Sequence, residues 1–311
     1  MRILFAGTPE IAVPCLEALV AAGYAVEVLT NPDAPAGRGG KTLPQPVKTK
    51  ALEIGLPVHQ PPKLDASARA LFEGRFDLLV SFAYGRIFGP LFLGLFPLGG
   101  LNVHPSLLPR WRGPSPLTAV LLARDAQTGI SVQRLALKMD TGDVVVQGIR
   151  PLDGTETMGS LSHWAAEASP KLLVEAVKTL ADGTSRPRPQ DETLATVCAL
   201  LTKDDGCLDW TQTAAEIDAR IRAYDPWPGA FTSWNGQRLT LKQSSVVAVA
   251  LASSSVPGTV SVDKSKGILI QTGDGQLVVR ELQLPARKAM DFRSFLNGNP
   301  ALVGSRLGEP S

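Results

Sequence analysis

Short apolar runs and longer helical segments alternate in the N-terminal part of the chain. RILFA (residues 2–6) and AVEVLT (residues 25–30) are apolar and rich in β-forming residues, which predicts two buried strands. Between them, after a turn at GTPE, the segment IAVPCLEALVAAG (residues 11–23) predicts a helix that ends at Gly23. A strand, a helix and a second strand in this order begin a doubly wound α/β domain with a mostly parallel sheet.

Further strands and helices follow as far as residue 183. FDLLVSFAYG (residues 76–85) and GGLNVHPSLLP (residues 99–109) predict the next central strands. Residues 129–152 alternate in hydrophobicity on both sides of Asp-Thr-Gly-Asp, which predicts an antiparallel hairpin with its turn at these four residues. Residues 159–183 predict one or two helices, which complete the α/β domain.

The pattern changes after a polar, proline-rich stretch, TSRPRPQDET. From about residue 203, short strand-like runs are separated by Asn-Gly, Lys-Gly and Asp-Gly pairs, which are typical of tight turns. This pattern predicts a small C-terminal β-barrel of the OB type. We therefore expect an α/β domain over residues 1–188, a linker over 189–202 and the barrel over 203–311.

Composition narrows the class of protein. The chain has 311 residues, 44% of them hydrophobic, and a net charge of +2, so any contact with nucleic acid must come from local basic patches. Three scattered cysteines without CxxC spacing predict free thiols in a reducing compartment. The apolar start is interrupted by GTPE and no run reaches the roughly 20 residues of a membrane span, so we expect a soluble, cytoplasmic protein.

The candidate chemistry lies at the end of the strand in residues 99–109. Asn102 and His104 are two residues apart on an extended segment, so their side chains share a face, and Pro105 disfavours a helical conformation at His104. Ligands bind at the carboxyl ends of strands in such sheets. An amide donor and an imidazole can stabilise an oxyanion and move a proton during acyl transfer, so we expect His104 to be exposed to substrate.

A histidine in this role needs a carboxylate, and the hairpin turn offers Asp140 and Asp143. The sequence contains no GxSxG, no HExxH and no paired histidines, which favours direct transfer between two substrates without a metal or a covalent intermediate. The residue pattern alone leaves open that His104 is a hydrogen-bonded loop residue and that the turn is a solvated hairpin tip. A dinucleotide site is disfavoured, because Gly7-Thr8-Pro9 lacks the GxGxxG pattern.

A basic loop spans residues 34–50 and carries Arg38, Lys41, Lys48 and Lys50 without an acidic residue. Composition alone is compatible with a flexible surface loop. Its GRGGK does not have the spacing of a phosphate-binding P-loop.

Several longer motifs together resemble the methionyl-tRNA formyltransferases, within the wider family of 10-formyltetrahydrofolate-dependent transferases. They are AGTPEIAVPCLEAL, PAGRGGK…PVK, LNVHPSLLPRWRGPSP, ALKMDTGDVV, DGCLDW and RAYDPWPGAFT, in family order from residue 1 to about residue 296. The resemblance implies a Rossmann-like formyltransferase domain followed by a tRNA-binding OB-like barrel. It also implies formyl transfer from 10-formyltetrahydrofolate to the amino group of initiator Met-tRNA, in support of translation initiation. Because the sequence shows no exposed apolar stripe, no metal motif and no membrane-span run, we expect a monomer without a metal or membrane association.

The resemblance assigns roles to individual residues. Asn102, His104 and Asp140 match the catalytic residues, with Asn102 and His104 stabilising a tetrahedral oxyanion and Asp140 keeping His104 charged. Arg38 and Lys41 match a loop that reaches the tRNA acceptor end. The expected folate contacts are Ser106, Leu107, Leu108, Pro109, Phe82, Tyr84, Arg86 and Ile87. The alternatives are a sugar-nucleotide N-formyltransferase and a tRNA-binding protein without catalysis.

Overall fold

A computed structural model describes residues 1–35, 42–247 and 256–308. The chain forms two compact units, and each is assembled from several segments. The first contains Met1–Pro116, Ala126–Leu152 and Leu161–Ala199, and the second contains Leu117–Asp125, Asp153–Ser160 and Leu200–Ser311. Residues 189–202 remain a predicted linker. Those up to Ala199 group with the first unit, and those from Leu200 group with the second.

The first unit contains a seven-stranded sheet in the order β5-β2-β1-β6-β7-β8-β9. Across the sheet, each strand from β5 to β7 is parallel to its neighbours in that group. Strand β8 is antiparallel to both β7 and β9. Its strands are β1 (Arg2–Gly7), β2 (Ala25–Leu29), β5 (Val58–His59), β6 (Leu78–Phe82), β7 (Gly100–His104), β8 (Gln127–Arg134) and β9 (Val144–Pro151). A separate two-stranded ribbon consists of β3 (Ala34–Pro35) and β4 (Thr42–Leu43).

The central strands form the core because their sequences are apolar along almost their whole length. Every residue of β6 is buried, as are five of the six residues of β1, which is the pattern of strands covered on both faces. The helices up to residue 200 are α1 (Val13–Ala21), α2 (Pro46–Glu53), α3 (Ala66–Phe72), α4 (Pro90–Leu93), α5 (Pro116–Ala123) and α6 (Met158–Ala181).

The second unit contains an antiparallel sheet in the order β10-β11-β14-β13-β12, and β15 also pairs with β14. The long strand β11 has register shifts between Leu241 and Ser244, where such bulges bend a strand and let a sheet curl. Its strands are β10 (Phe231–Trp234), β11 (Gln237–Val247), β12 (Val260–Asp263), β13 (Gly267–Gln271), β14 (Gln276–Gln283) and β15 (Met290–Asp291), and its helices are α7 (Ala214–Tyr224) and α8 (Phe292–Gly298).

The predicted fold class is confirmed, with one difference in the second sheet. Strand pairing runs from β10 to β12 without returning to β10 in the described residues, so this sheet is a curled half-barrel, not a closed barrel. No helix among the described residues is long and apolar enough to cross a membrane. Within the same ranges, no group of three or more His, Cys, Asp or Glu side chains is arranged to hold a metal ion.

Candidate active site

Asn102 and His104 lie on β7, on the face expected from their spacing. In the antiparallel pairing with β8, Asn102 is opposite Gln133 and His104 is opposite Ser131. His104 is the last residue of the strand and is only 4% exposed. This burial corrects the expectation of a histidine open to substrate, because segments after β7 and β8 cover this part of the sheet.

The Asp140 carboxylate brings the candidate side chains together. One oxygen, Oδ1, accepts hydrogen bonds from Gln133 Nε2 at 2.8 Å and from Asn102 Nδ2 at 3.3 Å. The other, Oδ2, accepts from the Gly113 backbone N–H at 2.8 Å and lies 3.6 Å from His104 Nδ1. Asp140 therefore connects the amide and the imidazole of the predicted catalytic residues.

The loop between β8 and β9, residues 135–143, places Asp140 over the sheet. Gly142 packs so closely on β8 that a Cβ there would overlap the Arg134 carbonyl oxygen. The Arg134 N–H donates to the Asp143 carbonyl at 2.9 Å and closes the loop. Asp140 has a φ of +54°, a left-handed conformation that aspartate tolerates better than most residues. We call Asp140 and the groups around its carboxylate, which include the side chains of Asn102, His104 and Gln133, the cluster. Asp143 is exposed and lies outside it, so of the two carboxylates only Asp140 faces His104.

Both ring nitrogens of His104 have partners. Nε2 lies 2.8 Å from the Trp111 carbonyl oxygen. A carbonyl only accepts hydrogen bonds, so Nε2 carries a proton in this arrangement. Nδ1 faces the Asp140 carboxylate, 3.6 Å away. A substrate oxygen that binds His104 at Nε2 must share or replace the bond to Trp111.

The predicted folate loop, residues 106–109, is fixed to the sheet by hydrogen bonds. Ser131 Oγ donates to the Ser106 carbonyl at 2.7 Å and accepts from the Leu108 N–H at 3.1 Å. The Ser106 hydroxyl is fully buried and donates to the Arg110 carbonyl at 2.6 Å. Leu107 and Pro109 are half-buried. Of the four predicted contacts, these two side chains are the accessible ones, whereas Ser106 shapes the loop.

The second predicted folate segment, residues 82–87, leaves the neighbouring strand β6. Phe82 and Tyr84 are 1% and 2% exposed, and Tyr84 stacks on Phe88 within the core. Burial also raises the pKa of the Tyr84 hydroxyl. The side chains of Phe82 and Tyr84 therefore serve packing. The accessible predicted contacts of this segment are Arg86 and Ile87. Arg86 is half-buried and its guanidinium donates to the Pro61 and Pro62 carbonyls, and Ile87 is 73% exposed.

The two segments predicted to contact folate lie side by side at the carboxyl edge of the sheet. Phe82 and Val103 are register partners, so the chain leaves β6 and β7 at adjacent points on the carboxyl edge. Accessible apolar side chains, Leu107 and Ile87, are found on both segments. Small-molecule sites are lined mainly by apolar side chains, so this edge is compatible with the predicted folate contacts.

The predicted tRNA contacts Arg38 and Lys41 lie outside the described residues. The end of the predicted basic loop is helical, because Pro46 starts α2 and is well suited to a first helical turn. Lys48 pairs with Asp33 at 2.6 Å, and Lys50 pairs with Glu17 and Glu53. The Lys48 ammonium, together with a hydrogen bond from Gln60, holds the pKa of Asp33 below its usual value. These two lysines are therefore ion-paired helix residues.

Three groups of the cluster were missed by sequence analysis. They are the Gln133 amide, the Trp111 carbonyl and the Gly113 N–H. Gln133 could have been found from the hairpin, because a buried polar residue within an apolar strand needs a partner. No sequence signal indicates the two backbone groups. Trp111 has a φ of 60°, a left-handed conformation that is uncommon for a tryptophan and that the local sequence does not predict.

Comparison with family models shows the class of protein to which this Rossmann-like sheet and the second, curled sheet belong, namely the formyl transferases. A family model described as formyl transferase matches residues 1–177, and one described as formyl transferase, C-terminal domain, matches residues 200–300. The chain belongs to this family.

Relatives within the family match almost the whole chain. The methionyl-tRNA formyltransferase of Treponema denticola is 43% identical over 96% of this chain and 97% of its own length. That of Treponema pallidum (strain Nichols) is 41% identical over 99% of both chains. The fold also matches a crystal structure of WlaRD, a sugar 3N-formyl transferase solved in the presence of dTDP and 5-N-formyl-THF. That match has a TM-score of 0.67 and 16% identity, and covers 93% of this chain and 99% of the other.

Proposed function

We propose that this protein transfers the formyl group of 10-formyltetrahydrofolate to the amino group of methionine on initiator Met-tRNA, the reaction for which its near-full-length relatives are named. The observation that carries the proposal is the Asp140 carboxylate, which contacts Asn102 and faces His104 at the end of β7. The formyl donor supplies an amide-like carbonyl, and attack by the methionine amine places negative charge on its oxygen.

Asn102 and His104 stabilise that charge. An amide nitrogen carries two N–H donors, and Asn102 directs one of them to Asp140, which fixes the plane of the amide and the direction of the other. His104 carries a proton at Nε2, as its bond to Trp111 requires. The second Asn102 donor is fixed in this way before the reaction, whereas His104 Nε2 shares or replaces its bond to Trp111 when the oxyanion forms. Removing one oxyanion donor typically costs about 10²–10³ in rate.

Asp140 orients His104 and balances positive charge that forms on the ring during the reaction. Its carboxylate lies 3.6 Å from Nδ1, and both groups are shielded from water, with side chains 10% and 5% exposed. Limited access to water strengthens the attraction between imidazolium and carboxylate relative to the same pair on the surface. Together these residues stabilise the oxyanion and take up and return protons as the amine loses its proton.

The proposed substrate contacts come from two parts of the chain. Leu107, Pro109, Arg86 and Ile87 are the side chains proposed to hold the folate. Arg38 and Lys41 are proposed to contact phosphates of the acceptor end, where basic side chains supply affinity and register.

A competition between acceptors tests the proposal. The labelled formyl donor is incubated with the protein and charged initiator tRNA, uncharged tRNA or an amino-sugar nucleotide. We expect label only on charged tRNA. Transfer to the amino sugar alone would make the protein a sugar-nucleotide N-formyltransferase, and tRNA binding without any transfer would make it a non-catalytic tRNA-binding protein.

A tRNA substrate supports a cytoplasmic location, and we propose that the working form is a monomer. Sedimentation velocity of the protein, alone and with one equivalent of tRNA, tests the monomer: we expect one protein per tRNA, and a concentration-dependent dimer would contradict it.

A further inference from the structure

The stretch that follows α6 is fixed to the loop that carries Asp140. Val144, the first residue of β9, and Arg188 exchange two backbone hydrogen bonds of 2.9 Å each. Further along, Thr196 and Cys198 pair with Arg112 through hydrogen bonds of 2.9 and 2.8 Å. We call residues 188–198 the strap. It contains most of the residues that composition predicts to be a linker, but both its ends are bonded to the site.

Gln190 on the strap lies between the two segments that hold the catalytic residues. Its Nε2 donates to the Gly142 carbonyl at 2.7 Å and to the Asp140 carbonyl at 2.9 Å. Its Oε1 accepts from Arg112 Nη2 at 2.9 Å and Nε at 3.0 Å. Two carbonyls on one side and a guanidinium on the other allow only one orientation of this amide, because the flipped amide would oppose like groups on both sides.

Arg112 is itself held firmly. Its side chain is 5% exposed and makes two bonds to Glu192, at 2.7 and 3.0 Å. The guanidinium, through these hydrogen bonds, holds the pKa of Glu192 below its usual value. Planar, paired contacts of this kind restrict geometry more strongly than a single ion pair. The Gln190 amide is thus fixed to a rigid partner.

The neighbours of Arg112 are the groups that contact the catalytic residues. The preceding residue, Trp111, accepts from His104, and the following residue, Gly113, donates to Asp140. Gln190 therefore connects the backbone that carries Asp140 to the backbone that holds His104.

We propose that Gln190 is a positioning residue for formyl transfer, fixing the 135–143 loop against residues 111–113 so that Asp140 stays on Asn102 and His104. This inference rests on the proposed function. Gln190 contacts two backbone carbonyls, a guanidinium and, at 3.3 Å, the Gln133 amide oxygen, so it acts through Asp140 and not on the substrate. A misplacement of about 1 Å in a catalytic group costs about 10²-fold in rate.

Two substitutions remove the donors of this amide. Gln190→Glu keeps the acceptor for Arg112 but replaces the two N–H donors with a carboxylate oxygen that faces carbonyls. Gln190→Met removes the polar groups at similar length without adding charge. We expect kcat for formyl transfer to fall about 10–100-fold in both, as for other residues that orient catalytic groups, with KM for the formyl donor within about twofold of wild type.

Gln271→Glu is the matched control. Gln271 is 4% exposed in the second unit, and its Nε2 donates to the Thr272 and Gly275 carbonyls at 3.0 and 3.2 Å. The same chemical change there removes two similar bonds from a buried amide whose side-chain partners are Thr272, Gly275 and Gln276, none of them a catalytic residue. We expect it to lower the melting temperature without lowering kcat at saturating substrates.

A measurement of ring geometry separates positioning from general stability. The chain has three histidines, so ¹⁵N spectra of His59→Gln and His163→Gln identify the His104 ring. We expect Gln190→Met to change the ¹⁵N chemical shifts of the His104 ring, whereas Gln271→Glu should leave these chemical shifts unchanged.

The outcomes distinguish this inference from the proposed function. Absence of formyl transfer by the wild-type protein would overturn the proposed function whatever Gln190 does. An active wild type with kcat retained in both Gln190 variants would overturn the positioning role alone. A fall in kcat matched by Gln271→Glu, or failure of both Gln190 variants to fold, would make Gln190 a stability residue and equally overturn it.

Discussion

Replacing Asp140 by asparagine tests the charge of the cluster with almost no change in shape. Oδ1 accepts from Asn102 and Gln133, and Oδ2 accepts from Gly113 and faces His104. If Oδ1 is replaced by NH₂, the Asn102 and Gln133 amides lose their acceptor; if Oδ2 is replaced, the Gly113 N–H loses its acceptor. Each buried donor without a partner costs about 1–3 kcal/mol. The variant should therefore be less stable than the wild type by about that amount.

The larger effect of Asp140→Asn falls on catalysis. A unit positive charge that forms on the His104 ring during the reaction and the Asp140 carboxylate, 3.6 Å from Nδ1, attract by about 4–5 kcal/mol at an effective dielectric constant of about 20, before the desolvation cost of the pair is subtracted. If the charged ring is needed in the transition state, losing this attraction lowers the rate about 10³-fold. We expect kcat to fall by about 10²–10³, with the affinity for a folate analogue unchanged.

The assay is single-turnover transfer of labelled formyl to Met-tRNA, with folate-analogue titration and thermal melting in parallel. Asp143→Asn is the control, because Asp143 is exposed and its backbone, not its side chain, closes the loop. It should stay within about twofold of wild type, as expected for a surface change. Equal losses in both variants, or Asp140→Asn within tenfold of wild type, would refute the electrostatic argument.

Three further predictions concern other parts of the chain. His104→Ala should abolish turnover and also lower the melting temperature, because the ring is buried and bonded to a carbonyl; unchanged stability would contradict the described contacts. In thiol titration of the native protein, the exposed Cys207 should react first, since burial raises the pKa of the other two thiols; simultaneous reaction of all three would contradict this. Arg38→Ala, and more so the double variant with Lys41→Ala, should lower kcat/KM for Met-tRNA and reduce its salt slope by about one unit per charge removed, while wild-type salt slopes would refute the tRNA contact.

Hydrophobic patterning predicted most of the first sheet. The apolar run at residues 76–85 contains β6, and the hairpin around Asp-Thr-Gly-Asp appears as β8 and β9. Local rules suffice for such elements because each depends on neighbours in sequence. The open edge of the second sheet was not predictable in this way, since closure or its absence depends on pairing between strands far apart in the chain.

The candidate site was partly predictable for the same reason. Spacing along β7 placed Asn102 and His104 on one face, and the motif resemblance selected Asp140 over Asp143. The burial of His104 and the role of Gln190 depend on segments that pack over the sheet from residues 111–113 and from the strap. A glutamine in a polar, proline-rich stretch carries no local signal of such a contact.

The reaction product tests the central claim most directly. Met-tRNA is incubated with 10-formyltetrahydrofolate and the protein, the aminoacyl ester is hydrolysed, and the released amino acid is identified by mass spectrometry. The account predicts N-formylmethionine with the wild-type protein, and only background with a folded variant in which Asn102, His104 and Asp140 are all replaced by alanine. Unmodified methionine with the wild type, or equal formylmethionine with the triple variant, would contradict it.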